Sequence, residues 1–319
     1  MLSIDGGGIR GIIPAMVLAE LERRAGRPVA RLFDLIAGTS TGGILAIALT
    51  RPGSDGEPMW SAQQVVDLYE HEGPTIFDRG KMHALHGIID ERYHVLGLEG
   101  VLARYCGDMR LGHAVTDILI PAYDVAKRNV FYFDSARARQ EPSVDYPAKV
   151  VARATSAAPT YFEPLFVRGD EELEELVFVD GGIFANNPAM CAFAQAKRGR
   201  LETDVLLVSI GTGSQTRPLP VEELRHWGTA QWARPILHVV LDGVSEAIDQ
   251  QLAMVLGAER YFRFQKDLTL AGDEIDDARP ENIALLKQEA EHLIREQTAE
   301  IDHLAEELVS RATATATAP

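Results

Sequence analysis

Cysteine is nearly absent from this sequence of 319 residues, which contains only Cys106 and Cys191. Neither residue has the spacing of a metal-ligating pair, and two thiols cannot form the disulfide framework of a small secreted domain. We interpret both as buried free thiols in a reducing compartment. No cluster of residue types that would hold a metal is visible along the sequence.

Basic residues are also scarce, because 31 Lys and Arg face 47 Asp and Glu, which gives a net charge of −16. This balance argues against nucleic acid as a partner, since binding to phosphate backbones requires Lys and Arg. It also argues against purely electrostatic adhesion to anionic lipid. Contact with a lipid surface through an apolar patch stays open.

The sequence has no apolar run close to the length of about 20 residues that spans a bilayer. It also has no basic start followed by an apolar region, which would indicate a signal peptide. We therefore expect a cytoplasmic protein, unless the sequence has been trimmed at the N-terminus, where it opens directly into a motif. A content of 46% hydrophobic and 24% charged residues is typical of a globular protein with a large core.

Strand-like and helix-like segments alternate along the sequence. A short strand is expected at 2–4, a helix with three-and-four apolar spacing at 9–24, a strand at 32–37 and a buried helix at 42–49. Further strands are expected at 117–125, 129–135, 175–182 and 204–213, and further helices at 63–70, 98–105, 149–158 and 186–197. Such alternation predicts an α/β fold with three α/β/α layers, in which helices cover both faces of a mostly parallel sheet.

Two regions depart from this alternation. Residues 73–97 are irregular and rich in His and Gly, which suggests a flap or lid. From about Pro280 the apolar spacing predicts one long amphipathic helix, interrupted at Gln297, that packs on its own domain or, less favourably, forms a coiled coil. The low-complexity tail at 312–319 is expected to be disordered. We thus predict a main domain at 1–275 and a C-terminal region at 276–319.

A glycine-rich turn at 5–11, "DGGGIRG", lies between the first strand and the first helix. It matches the dinucleotide-binding pattern, but that pattern expects an acidic residue at the end of the next strand, whereas Asp34 precedes it. Bare backbone N–H groups at a helix N-terminus can stabilise an oxyanion as well as a phosphate. The turn therefore predicts either a nucleotide site or an oxyanion hole.

A second small-residue turn, "GTSTG", contains Ser40 between Gly38 and Gly42. It fits the Gly-x-Ser-x-Gly nucleophile elbow, in which a serine occupies a sharp strand-to-helix turn and small neighbours permit close packing. The alternative is that Ser40 only caps the following helix. Because a strand precedes the turn and a helix follows it, we favour a nucleophile.

A nucleophilic serine needs a base, and the nine histidines do not offer a clear one. His226 and His238 are the only late histidines before the terminal helix, and neither follows a strand-then-loop pattern. We interpret both as surface or core residues. Taken alone, the Asp-Gly-Gly segment at 180–182 would be interpreted as a simple turn. Asp180 is nevertheless a better candidate, because it ends a strand and precedes Gly181 and Gly182, so that it can meet Ser40 in the crevice at the carboxyl ends of parallel strands. Partial burial would raise its pKa and make it a better base.

These three turns, in this order, resemble the signature motifs of the patatin-like phospholipases. The matching segments are "GGGIRG" at 6–11, "GTSTG" at 38–42 and "DGG" at 180–182. "LIPAYDV", "ARATSAAPTYF", "LLVSIGTG" and "AERYFRFQ" are similar to the segments expected between and after them. The resemblance covers about residues 1–270.

The resemblance implies a carboxylic ester hydrolase (EC 3.1.1.-) with a Ser-Asp dyad, in which Ser40 attacks an ester and Asp180 takes its proton. It further implies an oxyanion hole and supporting residues, with no metal or other cofactor. The oxyanion hole would consist of Gly6, Gly7 and Gly8, and the supporting residues would be Arg10, Gly38, Gly42, Gly181 and Gly182. Arg10 would orient the loop or meet a lipid phosphate. The implied substrates are phospholipids, glycolipids and simple esters, with transient contact with a membrane or micelle.

Other functions stay open at this point. A nucleotide-binding protein would use the first turn alone and leave the other two without a role. A storage or regulatory protein could keep the fold without catalysis, and an effector phospholipase would act only with an activator. The sequence leaves the oligomeric state open.

Overall fold

A computed structural model describes residues 1–77, 93, 95–168, 175–198, 204–214, 221–232 and 235–317. The strands in these ranges are β1 (Leu2–Ile4), β2 (Leu35–Gly38), β3 (Asp117–Asp124), β4 (Asn129–Asp134), β5 (Leu165–Arg168), β6 (Glu175–Asp180), β7 (Leu207–Ile210) and β8 (Tyr261–Phe264). They form one sheet in the order β5–β6–β3–β2–β1–β7–β8, and β4 pairs with β3.

The sheet is mostly parallel, as the sequence predicts. Strands β3, β2, β1, β7 and β8 run parallel to one another, whereas β4 and β6 pair antiparallel with β3, and β5 pairs antiparallel with β6. Placing Asp180 at the end of a parallel strand was therefore wrong. Its strand, β6, runs antiparallel to the long strand β3 and pairs with the last three residues of β3, where Asp180 lies beside Ala122.

The helices lie between and after these strands. They are α1 (Ile12–Ala25), α2 (Thr41–Thr50), α3 (Ala62–Ile76), α4 (Val95–Cys106), α5 (Ser135–Ala138), α6 (Ala148–Thr155), α7 (Gly182–Ala185), α8 (Ala189–Lys197), α9 (Val221–Leu224), α10 (Thr229–Trp232), α11 (Pro235–Leu256), α12 (Pro280–Glu296) and α13 (Thr298–Thr317). Single 3₁₀ turns occur at Gly8–Gly11, Val29–Arg31, Leu111–His113 and Pro142–Val144.

Alternating strand residues divide the core between the two faces of the sheet, because successive side chains of a strand point to opposite faces. Leu2 and Ile4 of β1 pack in the larger hydrophobic cluster, together with α1, α2, α3 and α6. Ala37 and Leu207 of the neighbouring strands pack in a second cluster with α8 and α11. The molecule is therefore a three-layer α/β/α structure, as the sequence predicts.

The C-terminal region differs from the single long helix that the sequence suggests. Gln297 separates α12 from α13, and both helices pack against α1 in the larger core cluster. A polar residue within the apolar stripe permits this break, because the two helices can then each turn an apolar face to the core. Packing on the same domain is thereby confirmed, whereas the boundary at 275/276 stays a prediction.

Helix α13 continues to Thr317 and so includes most of the low-complexity segment at 312–319, whose expected disorder stays a prediction. Alanine is the strongest helix former, and the Thr313 hydroxyl donates to the Val309 carbonyl at 2.8 Å, so the repeat extends the helix. Residues 318–319 lie outside the described residues.

Part of the suggested lid also lies outside the described residues, together with His83, His86 and His94. At its edges the chain is helical, since α3 continues through Pro74 to Ile76 and α4 begins at Val95. Of the helices within the described ranges, none is both long and apolar enough to cross a membrane.

Candidate active site

Ser40 lies at the sharp turn between β2 and α2 with φ 54°, a conformation that is costly for any residue with a side chain. It is the N-cap residue of α2, but its side chain makes no capping hydrogen bond. The capping interpretation therefore does not explain the serine. A backbone held in this region, with the hydroxyl free of the helix, is the geometry that a nucleophile elbow requires.

The neighbouring glycines permit the close packing of this turn. A Cβ at Gly38 would lie 2.1 Å from the Gly42 carbonyl oxygen, and a Cβ at Gly42 would lie 2.2 Å from the Ile4 carbonyl oxygen. The Ser40 N–H donates to the Thr155 hydroxyl at 3.0 Å, which connects the elbow to the end of α6. Thr155 lies 115 residues from Ser40 along the chain, so no local sequence pattern connects the two.

Asp180 is 5% exposed at the end of β6, and it lines the same pocket as Ser40. Burial raises the pKa of Asp180 to about 7, although a hydrogen bond from the Ser40 side chain and one from the Gly182 N–H both lower it. The Gly182 N–H donates to Asp180 Oδ1 at 2.7 Å. The structure thus brings together the two side chains that the sequence paired.

Gly181 allows this approach, because a Cβ there would lie 2.4 Å from the Pro121 carbonyl oxygen of β3. The end of β6 can therefore turn directly against β3. Gly182 lines the pocket, and a Cβ there would lie 3.1 Å both from Asp180 Oδ1 and from Leu241 Cδ2. The space around the carboxylate is therefore closely packed on both sides.

The glycine-rich turn faces Ser40 across the pocket. The Gly6 N–H is not free to act as an oxyanion donor, because it donates to the Asn186 carbonyl at 3.0 Å. Within the described residues, the N–H groups of Gly7 and Gly8 make no hydrogen bond to the protein. Gly8 has φ +59°, and a Cβ there would lie 2.0 Å from the Ile275 carbonyl oxygen. Gly7 and Gly8 therefore remain as candidate donors, whereas Gly6 contributes by lacking a side chain.

Buried polar side chains hold this turn in place. The Thr212 hydroxyl donates to the Gly6 carbonyl at 2.8 Å, and Arg263 pairs with Asp5 at 2.6 Å. Burial raises the pKa of Asp5, and the charge of Arg263 opposes that effect. Residues Thr212 and Arg263 lie in the segments "IGTG" and "YFRF", which the sequence analysis noted only as part of a resemblance.

Arg10 also lines the pocket, although it is only 6% exposed. Its Nε and Nη1 atoms are buried and have no hydrogen-bond partner among the described residues. Burial lowers the pKa of Arg10, and the charges of Asp242 and Asp273 partly offset this effect. A buried guanidinium group with unused donors is costly, so this side chain is suited to an anionic group that enters the pocket.

The rest of the pocket is largely apolar. Counting its open mouth, the space between the walls is about 1120 Å³. The apolar wall includes Ile44, Leu68, Phe77, Leu98, Leu102 and Phe162. An elongated hydrocarbon chain is therefore a suitable occupant, and the polar end of the pocket would hold the group attached to it.

His238 is the one histidine among the described residues that lines this pocket, although the sequence analysis set it aside. Its Nε2 lies 3.4 Å from the Tyr161 hydroxyl. His226, in contrast, lies in an exposed turn. Within the described ranges, no group of three His, Cys, Asp or Glu side chains is arranged to hold a metal ion.

The dinucleotide interpretation finds less support in this geometry. Asp34 is exposed and precedes β2, so it lies at the end of the strand away from the glycine-rich turn. The carboxylate that would hold a ribose is therefore at the wrong end of the strand. The turn instead faces Ser40 and Asp180 in one pocket.

Several known proteins are similar in sequence to this chain over most of its length. Patatin-like protein 2 of Oryza sativa subsp. indica is 30% identical over 95% of this chain and 85% of its own length. Patatin-like protein 2 of Arabidopsis thaliana is 30% identical over 95% of this chain and 84% of its own length. A potato (Solanum tuberosum) relative named "Probable inactive patatin-3-Kuras 1" is also 30% identical, over 95% of this chain and 88% of its own length.

The crystal structure of VipD from Legionella pneumophila aligns with 91% of this chain and 66% of that chain, with a TM-score of 0.37 and 12% identity. The family model described as patatin-like phospholipase matches residues 2–193, which include the glycine-rich turn, the serine elbow and the Asp-Gly-Gly turn. The chain therefore belongs to the patatin-like phospholipase family.

Proposed function

We propose that this protein is a serine lipid acyl hydrolase that cleaves fatty acyl esters through Ser40 and Asp180. The observation that supports this most directly is the pairing of a serine at φ 54° with a buried carboxyl of pKa about 7. Both side chains lie in one largely apolar pocket. Family membership alone is not sufficient evidence for turnover, since one relative is named as probably inactive.

In the proposed reaction, the Asp180 carboxylate accepts the Ser40 proton while Oγ attacks the ester carbonyl carbon. The negative charge that forms on the carbonyl oxygen receives hydrogen bonds from the N–H groups of Gly7 and Gly8, which have no protein acceptor within the described residues. The protonated Asp180 then gives its proton to the leaving alcohol. Asp180 then takes a proton from a water molecule, whose oxygen attacks the carbonyl carbon of the acyl-serine. As the bond to Oγ breaks and the fatty acid is released, Asp180 gives that proton to Oγ, which restores both side chains.

The pKa of Asp180 suits this role. A base works best when its pKa lies near the working pH, because it must be ionised and yet still have affinity for the proton. A carboxyl with a pKa of about 7 satisfies both conditions, whereas an exposed aspartate would be too weak a base. Burial in the pocket therefore gives Asp180 a pKa near neutral pH, which is the property that a histidine provides in a catalytic triad.

The pocket also suggests a substrate class. The apolar wall is suited to the acyl chain, and the unused Arg10 donors favour a substrate with an anionic group near the ester. A phospholipid, whose phosphate could pair with Arg10, fits this arrangement better than a neutral glycolipid or a simple ester. These neutral substrates would still be cleaved, but without the contact to Arg10.

A fluorophosphonate probe tests the proposal, since it forms a covalent bond only with an activated serine. We expect peptide mass spectrometry to find the label on Ser40 of the wild type, and no label in Ser40→Ala. Ser61 is a suitable internal control, because it is a helix N-cap residue whose hydroxyl accepts from the Gln64 N–H. An unlabelled Ser40 in the folded wild type would contradict the proposal and favour a binding or regulatory protein of the same fold.

A further inference from the structure

Helix α11 forms one wall of the pocket and has an apolar outer face. His238, Leu241 and Asp242 line the pocket, and the Ser245 hydroxyl accepts a hydrogen bond from Asn186 at 3.1 Å. These residues lie on one side of the helix, since they follow three-and-four spacing. The opposite side of this part of α11 therefore points away from the pocket.

That opposite face carries exposed hydrophobic side chains. Ile236, Val239 and Val240 are 46%, 44% and 38% exposed, and they too follow three-and-four spacing. Gly243 and Ala247 continue the same face, are also exposed, and have no polar side chain. An apolar helix face is normally buried against a partner. In this helix the inner side faces the pocket, whereas the side chains of Ile236, Val239 and Val240 on the outer side remain about two-fifths exposed.

Two tryptophans precede this surface. Trp227 and Trp232 pack edge to face with their ring centroids 5.2 Å apart, and both are partly exposed. The short helix that ends at Trp232 contacts α11. Tryptophan is enriched where proteins meet the boundary between lipid and water, because its ring is apolar and its N–H is polar.

The charges of α11 indicate which kind of surface would meet it. Residues 235–256 contain three acidic side chains, Asp242, Glu246 and Asp249, and no Lys or Arg. Helices that bind anionic membranes carry Lys and Arg on their polar face. An acidic helix in a chain of net charge −16 is instead suited to a lipid surface without net negative charge.

We propose that the outer face of α11, formed by Ile236, Val239 and Val240, docks on the surface of a zwitterionic or neutral lipid aggregate. This inference rests on the proposed acyl hydrolase function, because it explains how lipid would reach the pocket. A helix lying in such a surface enters about 5–10 Å, and a helix is about 10 Å thick. Docking would therefore bring the pocket wall itself to the level of the lipid head groups.

Two variants of the same helix test this surface in the Ser40→Ala background, so that vesicles are not consumed. The first changes Ile236, Val239 and Val240 to Gln, and the matched control changes Met254 and Val255, which are 79% and 61% exposed, to Gln. The control lies about 20 Å further along the helix from Val240, at a rise of about 1.5 Å per residue. Gln is a better helix former than Ile or Val, so we expect both variants to fold.

Sedimentation with phosphatidylcholine vesicles gives the main result. We expect the triple variant to bind at least about tenfold more weakly than its parent, because three apolar contacts are lost, and the control to bind as its parent does. Equal binding of the triple variant, no binding of the parent, or preference for phosphatidylglycerol vesicles would each overturn the proposal. Light scattering that shows a dimer for the parent and a monomer for the triple variant would assign the face to a second copy instead.

Turnover of a monomeric ester separates this inference from the proposed function. The triple variant with Ser40 intact should hydrolyse p-nitrophenyl butyrate within about twofold of the wild type, because none of its three residues lines the pocket. If the triple variant lost this activity, its weaker vesicle binding could not be explained by lost docking, and the proposal would be overturned. If even the wild type failed to hydrolyse any ester, the vesicle result would still decide whether α11 binds lipid.

Discussion

Ser40 and Asp180 lie in one pocket, where the Ser40 side chain interacts with a carboxyl that burial gives a pKa of about 7. The two residues come from strands that run in different directions, and they meet because β6 ends beside Ala122, just beyond the end of β2. Ser40 can lose its proton to Asp180 only while the Asp180 carboxyl is ionised. The pH dependence of turnover is therefore the first consequence of this contact.

We expect kcat/KM for a soluble ester to rise with pH and to level off above about 7, because Asp180 must be ionised to accept the proton. Below that pH it should fall about tenfold per pH unit, as the ionised fraction does. A pH profile with p-nitrophenyl butyrate measures this directly. A plateau that extends down to pH 5 would mean that Asp180 has an ordinary pKa or is not the base.

The raised pKa of Asp180 also predicts how stability changes with pH. The unfolded carboxyl has a pKa of about 3.9, so between about pH 4 and 7 the folded protein binds the proton more tightly than the unfolded chain. This contribution to the free energy of unfolding is therefore lost as the pH rises through about 7. Asp180→Asn lacks this titration, so it should gain stability relative to the wild type between pH 5 and pH 8.

Urea unfolding of the wild type and Asp180→Asn at both pH values measures this difference. Asp180→Asn should also lose at least about 100-fold in kcat/KM, because the amide cannot accept the Ser40 proton. The fold should remain, since the amide has nearly the same shape. Near-normal turnover would contradict the Ser-Asp dyad and direct attention to His238, which lines the same pocket.

Gly8 and Gly26 form a pair of positions for testing whether the glycine-rich turn forms an oxyanion hole. Both have positive φ, at +59° and +63°, but a Cβ at Gly26 would have no atom within 4 Å, whereas one at Gly8 would lie 2.0 Å from the Ile275 carbonyl oxygen. Backbone strain should cost each Ala variant about 1–2 kcal/mol of stability, and Gly8→Ala should cost more, because its Cβ would overlap the Ile275 carbonyl oxygen. Gly8→Ala should in addition lower kcat about 100-fold, since it displaces a candidate donor.

Gly26→Ala should leave kcat unchanged, because the residue ends α1 away from the pocket. Kinetics and thermal unfolding of the two variants, side by side, separate general strain from loss of the donor. If the two variants lost activity to the same extent, strain alone would explain the effect and the oxyanion assignment would be wrong.

Arg10 predicts a difference between substrates. Arg10→Met should lower kcat/KM for a phospholipid about 10- to 100-fold, because a hydrogen-bonded charge pair with the phosphate is lost. Hydrolysis of p-nitrophenyl butyrate should change less than about threefold, and Arg10→Lys should retain part of the phospholipid activity. Equal losses with both substrates would mean that Arg10 holds the glycine-rich turn and does not contact a phosphate.

Local patterns were sufficient to predict the elements that form the site. Ser40 and Asp180 could be named because each sits in a short motif with a strand before it. Thr155 and Thr212 could not, because a buried threonine that holds a distant backbone group has no local signature. The antiparallel direction of β6 could not be predicted from the sequence either, because strand direction depends on how connections cross the sheet.

The hydrogen bonds of the glycine-rich turn could not be predicted from the sequence either. The sequence predicts three consecutive glycines with exposed N–H groups, but it cannot show that Asn186 already accepts the first of them. His238 was set aside because no motif surrounds it, and only the path of α11 brings it to the pocket. These contacts depend on tertiary packing between residues far apart in the chain.

Hydrolysis of a phospholipid and of a short and a long p-nitrophenyl ester, by the wild type and by Ser40→Ala, tests the central claim most directly. We expect the wild type to cleave all three and the variant to lose at least about 1000-fold with each, because no other nucleophile is in place. Circular dichroism should show the same fold for both. Equal activity of the two proteins, or none in the wild type on any of these esters, would contradict the account.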